Sequence, residues 1–428
     1  MDLREIMNNQ PTINIGMIGS VSNGKSSITE KLTGIKTQKH SNETKRNITI
    51  KLGYANAKIF KCKHCPPPKC YQSHSSATQT AQCNNCDSGD DMELMKHISF
   101  VDIPGHVYLM TTMLNGATVM DTTITVESAS NTELSDQTKQ HLTATRLADL
   151  PNSITCLNKM DLIKKNIAVD RLNKLQTQLI GTQAENSPIV PVVANYGTNV
   201  DVLCEYICRF VKEPKRDLES KLKMTVVRSF NINKQQVPID QLEGGVVGGS
   251  IIKGVLKMSD KIIIYPGLCE KNTDKTSKNL WKYKPLRANV LSINSETNDL
   301  QLAIPGGLIG VKLDIDPSLT TKDGLIGNII TNSDNEFHVY EVVFVELNLI
   351  NDSQQINNKD MLLINCNACN VEATVVKTVK DKAEIRLLEK PICCNVGEYI
   401  TLSRIMNNKM IQIIGRAKIL DGLMAIKM

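Results

Sequence analysis

The sequence predicts an α/β unit built on a parallel-type sheet and followed by two β-barrels. Three observations lead there. Up to about residue 213, short apolar runs alternate with amphipathic stretches; after "KEPKR" (212–216), a linker, the chain turns to short β-rich runs separated by Gly, Pro, Asn and Asp; and a second such region opens near residue 336. Strand and helix in alternation give a mainly parallel sheet covered on both faces, whereas closely spaced strands with turn residues between them give barrels. At 428 residues the chain is long enough for two to four compact units, each with its own core.

Composition narrows the class. Hydrophobic residues make up 41% and charged residues 22%, so the chain folds rather than staying disordered. No run approaches the ~18 apolar residues of a membrane-spanning helix, and "MDLREIMNNQPTIN" lacks the apolar core of a secretory signal, so the expected compartment is the cytoplasm, with no membrane partner. A net charge of +6 admits a polyanionic partner without identifying one. Thirteen cysteines in such a chain argue for metal binding or buried thiols rather than a disulfide framework.

The elements of the first unit follow in order. "INIGMIG" (13–19) is a strand, and "GSVSNGKSS" (19–27) leads from it into a helix over 24–33 that stops at Gly34. Gly19 to Ser26 fits G-x-x-x-x-G-K-[ST], a loop whose backbone N–H groups converge on a β-phosphate. Gly19, Val21, Ser22, Asn23, Gly24 and Ser27 frame the phosphates, Lys25 reaches the β and γ oxygens, and the Ser26 hydroxyl ligates Mg²⁺. Alone, such a match is often a glycine turn with a surface lysine; the strand before it and the helix after it are what the mechanism requires.

"ISFVDI" (98–103) is the next strand, and "DIPGH" (102–106) ends it. Asp102 there can hold Mg²⁺ through water, Gly105 offers an N–H to a γ-phosphate, and His106 is placed to orient the attacking water. Thr49, in "RNITIKLGYANAKI" (46–59), stands between the two motifs, where a switch segment supplies a second hydroxyl to Mg²⁺. "TTITVE" (122–127), the helix-like "SDQTKQHLTATRLADL" (135–150) and "ITCLN" (154–158) come next. "NKMD" (158–161) closes the last of these: Asn158 and Asp161 face a guanine, the Asp161 carboxylate accepting from N1–H and the exocyclic amine, a pattern adenine cannot match, and Lys159 covers the ring. Three motifs in this order on these strand ends point to a P-loop GTPase domain binding GTP and Mg²⁺. "IVPVVA" (189–194) and "NVDVLCEYICRFV" (199–211) complete the unit.

Two Cys-x-x-Cys pairs, "CKHC" (62–65) and "CNNC" (83–86), are separated by seventeen residues, within the range used by zinc ribbons. Cys62, Cys65, Cys83 and Cys86 would close a tetrahedral Zn²⁺ site with no position for water, hence a structural one; Cys70, in "CPPPKC" (65–70), is an alternative to Cys62. Cys366, Cys369, Cys393 and Cys394 lie in strand-rich sequence and read as small buried residues. The resulting division is a GTP-binding domain over 1–213 with a zinc-binding insert at about 60–90, a barrel over 222–333 built from runs such as "MTVVRSFNI" (224–232) and "KIIIYPG" (261–267), and a second barrel over 336–428 opening on "EFHVYEVVFVELNLI".

On these motifs the chain resembles the translational GTPases, and most closely the family of gamma subunits of translation initiation factor two. The resemblance covers nearly the whole chain and is most specific in "KRNITIKLGYANAKI", the cysteine-bearing insert after it, "HISFVDIPGH", "LMTTMLNGATVMD" (109–121) and "GGVVGGSIIKGVLK" (244–257). It implies the GTP-binding core of a heterotrimer with alpha and beta subunits, which carries methionyl initiator tRNA to the small ribosomal subunit. It also implies hydrolysis of GTP to GDP and phosphate with a GTPase-activating partner, and resetting by a nucleotide-exchange factor. The sequence departs from the family at Ser20 and Asn23, where histidines are usual, and at Ile103 in place of Cys; the guanine-side motif reads "VVAN" (192–195), with Ala194 the residue that would contact the base. An elongation-type carrier of aminoacyl-tRNA is the rival, and the cysteine insert and switch segment argue against it. A silent GTP-binding scaffold is a third reading, opposed by the full set Lys25, Ser26, Thr49, Asp102 and His106.

Overall fold

The computed structural model describes residues 3–37, 52–87, 89–106, 109–234, 236–238, 241–274, 276–334, 337–350, 355–406 and 410–428. They form two compact units, one running to Lys215 with two short later segments, the other comprising the remainder.

The strands of the first unit are β1 (Ile13–Ile18), β2 (Gly53–Lys61), β3 (Tyr71–Ser75), β4 (Glu93–Asp102), β5 (Thr122–Ser128), β6 (Asn152–Asn158) and β7 (Ile189–Pro191). Its helices are α1 (Leu3–Asn9), α2 (Lys25–Thr33), α3 (Met110–Ala117), α4 (Asp136–Leu147), α5 (Lys165–Leu179) and α6 (Val200–Phe210). The sheet runs β3–β2–β4–β1–β5–β6–β7. From β4 to β7 every pairing is parallel, and β1, in the middle, buries all six of its residues, apolar but for Asn14, whose amide donates to the Val119 carbonyl at 2.7 Å. At the other edge β2 is antiparallel to β4, and β3 to β2, so the sheet is mixed rather than wholly parallel. The reason is chain length: residues 62–70 return β2 to β3 directly, too few for the crossover a parallel pair needs. Helix α2 ends at Gly34, whose φ of 74° lets its N–H reach back to the Glu30 carbonyl.

After Lys215, β8 (Lys223–Phe230), β9 (Val246–Lys253), β10 (Leu256–Lys257), β11 (Lys261–Lys271), β12 (Trp281–Ser295), β13 (Asn298–Leu300), β14 (Leu302–Ala303), β15 (Ile309–Leu313) and β16 (Ile329–Thr331) come first. Six of them close a barrel in the order β11–β16–β8–β9–β15–β12, with β12 pairing back onto β11. The chain continues with β17 (His338–Leu349), β18 (Met361–Cys366), β19 (Cys369–Val379), β20 (Lys382–Leu387), β21 (Ile392–Cys394), β22 (Tyr399–Ile405), β23 (Ile411–Met424) and β24 (Ile426–Lys427). A second six-stranded circuit, β20–β19–β18–β22–β23–β17, closes by pairing β17 with β20. Each barrel is filled by inward-facing β-branched and leucine side chains, Val226, Val247, Ile264, Val311 and Ile330 in the first, Val343, Ile364, Val371, Ile385 and Ile419 in the second. Cys366, Cys369 and Cys394 belong to the second core. Tyr265 and Trp281 of the first barrel pack with Phe337 and Cys393 of the second. No helix among the described residues is long and apolar enough to cross a membrane.

Candidate functional site

The residues that follow β1, β4, β6 and β7 come together around one cavity of about 520 Å³, at the carboxyl ends of the parallel strands, where sheets of this kind bind ligands. Val21, Ser22, Gly24, Lys25, Ser26 and Ser27 line it, with Gly105, Asn158, Lys159, Asp161 and Ala194.

The loop's shape rests on glycines. Gly19 has φ of 134° and Gly24 of 94°; a Cβ on Gly24 would stand 2.1 Å from Asn158 Nδ2, and one on Gly19 2.3 Å from the Val126 carbonyl oxygen. Gly24 caps α2 without a side chain, so the N-terminal N–H groups and the positive end of the helix dipole remain for an anion. Lys25 is buried, and its Nζ donates to the carbonyls of Gly19 at 3.0 Å and Ser20 at 2.9 Å. Burial pushes its pKa down to about 8, against the pull of the Asp102 and Glu127 carboxylates.

Strand β5, helix α4 and the turn between them hold this loop from behind. His141 Nδ1 accepts from the Gly19 N–H at 3.2 Å, Gln137 Oε1 accepts from the Ser20 hydroxyl at 2.9 Å, and Asn23 Nδ2 donates to the Val126 carbonyl at 2.9 Å. Asn131 Nδ2 donates to Asn23 Oδ1 at 3.4 Å. Ser20 and Asn23, the two departures from the family pattern, are thus both tied into the loop's support. None of His141, Gln137 and Asn131 is signalled by a local motif.

At the phosphate end, Asp102 is fully buried and its Oδ2 accepts from the hydroxyls of Ser26 and Thr37, both at 2.6 Å. One carboxylate and two hydroxyls converging on a cavity that holds Lys25 are the hard oxygen donors Mg²⁺ selects, so the residues present fit that ion. Thr37 also lines the cavity; its sequence surroundings carry no motif, and only its position between the phosphate loop and β4 could have suggested it. Thr49 lies outside the described residues. A Cβ on Gly105 would meet Lys25 Nζ at 2.5 Å and the Val21 nitrogen at 2.7 Å, so this turn and the phosphate loop approach as closely as backbones can. His106 is half-buried and stands beside the cavity rather than in its lining.

At the far end, Asn158 is 2% exposed, donating Nδ2 to the Asn23 carbonyl at 3.0 Å and accepting at Oδ1 from the Ala194 N–H at 3.1 Å. It thereby clamps the phosphate loop to the turn after β7. Lys159 takes a left-handed φ of 60°, and Asp161 is exposed on the cavity wall. A carboxylate at one end and an ammonium with two hydroxyls at the other can read a base and a polyphosphate together.

In the insert, the sulfurs of Cys62, Cys65, Cys83 and Cys86 all lie within 4.8 Å of one another. The Cys62–Cys86 and Cys65–Cys83 Sγ pairs are 3.6 and 3.7 Å apart, near the ~3.8 Å edge of a tetrahedron with Zn–S bonds of about 2.3 Å. These thiols fit a tetrahedral metal ion. Cys70 is buried and is not one of the four, its carbonyl accepting from the Cys62 N–H at 2.8 Å. Burial and the three neighbouring thiols push the Cys65 thiol up to about 12.

Residues 10–213 match the elongation factor Tu GTP binding domain family, and residues 336–419 match the initiation factor eIF2 gamma C-terminal family. The chain is 39% identical to the eukaryotic translation initiation factor 2 subunit gamma of Schizosaccharomyces pombe, an alignment covering 97% of this chain and 95% of that one. It is 37% identical to the subunit of the same name from Encephalitozoon cuniculi, over 98% and 95% of the two chains. Identity is also 37% to eukaryotic translation initiation factor 2 subunit 3 of Drosophila melanogaster, over 98% and 90%. Among solved structures, the bacterial selenocysteine-specific elongation factor EF-Sec superposes with a TM-score of 0.71 at 18% identity, covering 95% of this chain, which spans 58% of the length of that structure. Elongation factor SelB from Methanococcus maripaludis, in complex with the GTP analogue GppNHp, superposes with a TM-score of 0.70 at 20% identity over 96% of this chain and 80% of that one. At such identities these structures show the fold: a GTPase domain followed by two barrels.

Proposed function

Because the chain belongs to the family of gamma subunits of eukaryotic translation initiation factor 2, we propose that it carries methionyl initiator tRNA to the small ribosomal subunit in a GTP-dependent cycle. In that cycle it is the GTP-binding core of a heterotrimer with alpha and beta subunits. The protein is a translation initiation factor with a GTPase domain; the tRNA, the partner subunits, the GTPase-activating and nucleotide-exchange factors and the cytoplasmic location are the finer parts of the proposal. The functional units it assumes are residues 1–213, 222–333 and 336–428.

Each residue has a task. Lys25 leaves its loop carbonyls for the β and γ oxygens, while the loop and helix N–H groups bind the β-phosphate. Ser26 and Asp102 hold Mg²⁺ with Thr49, and the Gly105 N–H meets the γ-phosphate. Mg²⁺ neutralises and orients the phosphate oxygens when bound. His106 orients the attacking water, Asn158, Lys159 and Asp161 bind guanine, and Ala194 contacts the base. Cys62, Cys65, Cys83 and Cys86 bind Zn²⁺, which fixes the insert.

The observation that carries this reading is one cavity with Asp161 at one end and Ser26, Thr37 and Lys25 at the other. The test is competition for a fluorescent GDP analogue bound to the purified chain. GDP and GTP should displace it, ATP should not, and Lys25→Ala should lower affinity about a hundredfold. Equal displacement by ATP would overturn the guanine reading.

A further inference from the structure

The two cysteine pairs of the insert are supported differently. Cys62 extends the β2–β3 ladder, its N–H donating to the Cys70 carbonyl at 2.8 Å, and it is 3% exposed. Cys83 lies outside any strand, on the segment between β3 and β4, so side chains fasten it instead. Asn85 Nδ2 donates to the Lys69 carbonyl at 2.7 Å. Gln72, on β3 and paired with Phe60 of β2, spans the Cys83–Asn84 peptide: its Oε1 accepts from the Asn84 N–H at 3.4 Å, and its Nε2 donates to the Cys83 sulfur at 3.4 Å. A backbone N–H can only donate, so the amide oxygen has to face Asn84 and the NH₂ has to face the sulfur.

That last contact is the informative one. In each Cys-x-x-Cys pair the first sulfur accepts a backbone N–H from two residues on, Cys62 from His64 and Cys83 from Asn85, both at 3.4 Å. Cys83 receives the Gln72 amide in addition. A cysteine holds a metal as the thiolate, and protons compete for that charge. A donor bonded to the charged form lowers its basicity, and outer-shell donors of this kind are worth about 10–100-fold in metal affinity. A packing role needs no such donor, since Leu would fill the same space on the strand.

We propose that Gln72 is a positioning residue of the metal centre, its amide holding the Cys83 sulfur as a thiolate and in place against the other three. The proposal rests on Cys62, Cys65, Cys83 and Cys86 binding Zn²⁺. Because the donor stands on a sheet strand, metal retention depends on β3 as well as on the four ligands. Asn85 supplies the contrast. Its side chain fastens the same turn, but its contact with sulfur comes from the backbone, so Asn85→Ala loosens the turn and leaves every bond to sulfur in place.

The experiment uses the full chain in two forms. With Zn²⁺ bound, a chromogenic chelator follows metal transfer over a series of pH values; with Co²⁺ bound, the thiolate-to-metal charge-transfer band reports the charge held on sulfur. Gln72→Leu should lose zinc about tenfold faster near pH 7 and begin to lose it at a higher pH than the parent. It should also move the cobalt band to longer wavelength, because a thiolate without its donor gives up an electron more readily. Asn85→Ala should keep the band and the pH dependence whatever its melting temperature. Parent-like zinc transfer with an unmoved band in Gln72→Leu would overturn the proposal, and so would equal changes in both variants. Should Gln72→Leu not fold, Gln72→Glu decides: it keeps an acceptor for Asn84 but sets a carboxylate against the thiolate, and transfer less than about tenfold faster than the parent contradicts the role. A parent chain that takes up no zinc would overturn the metal-site reading as well, so the two failures are distinguishable.

Discussion

Asp161 is the residue on which base selection turns. Its exposed carboxylate can only accept, which suits the N1–H and amino group of guanine. Asp161→Asn places an amide NH₂ toward those donors, so GTP affinity should fall by at least about a hundredfold. Xanthosine triphosphate, with a carbonyl where guanine has its amine, should gain; competition against labelled GDP reads both. Lys25, Ser26, Asp102, Asn158 and Asp161 were legible because each sits in a contiguous motif whose chemistry is local. Thr37 and His141 were not, because their meaning lies in contacts across the chain: Thr37 meets a carboxylate 65 residues on, and His141 a loop N–H 122 residues back. No spacing rule reaches that far.

Elements place these residues, and two of them carry tests. The β2–β3 hairpin ends in the four-cysteine cluster, so Cys83→Ser should lose one equivalent of zinc by metal analysis. It should also lower the melting temperature of the first unit, and a chelator should do the same to the parent. Strand β4 is tied to α1 through His97, whose Nδ1–H donates to the Met7 carbonyl at 2.7 Å while Nε2 accepts from the Ser76 hydroxyl at 2.8 Å. Burial pushes both His97 and His141 down to about 3. A base whose folded pKa lies below its unfolded value near 6.5 binds fewer protons folded than unfolded, so stability falls as pH drops from about 6.5 toward 3. With two such histidines, unfolding below pH 6 should take up about two protons, or about 2.7 kcal/mol per pH unit. His97→Gln should halve that slope in urea titrations at pH 4 to 6. The strands β1, β4, β5, β6 and β7 were visible as apolar runs. The hairpin strands β2 and β3 were hidden by their polar residues, Asn56, Lys58 and Lys61 in the one and Gln72, Ser73 and His74 in the other.

At the scale of the whole molecule, the change at residues 212–216 from alternation to dense short strands was enough to forecast two barrels. What it could not show is how they pack. Glu341, 1% exposed, accepts from the Leu280 and Trp281 N–H groups at 3.0 Å each, joining the second barrel to the β11–β12 turn of the first. Lys223 adds a 2.6 Å ion pair to Glu398. Glu341→Ala leaves the buried Trp281 N–H and the part-buried Leu280 N–H without this acceptor and should cost about 1–3 kcal/mol, seen as an earlier urea transition of the second unit. The proposed cargo calls for measuring the affinity of the purified chain, assembled with the proposed alpha subunit, for methionyl initiator tRNA in GTP and in GDP. Uncharged initiator tRNA and elongator methionyl-tRNA serve as controls. Tight binding that needs GTP, the methionyl group and Lys25 is the expected result; equal binding of any aminoacyl-tRNA, or none at all despite tight GTP binding, would contradict it.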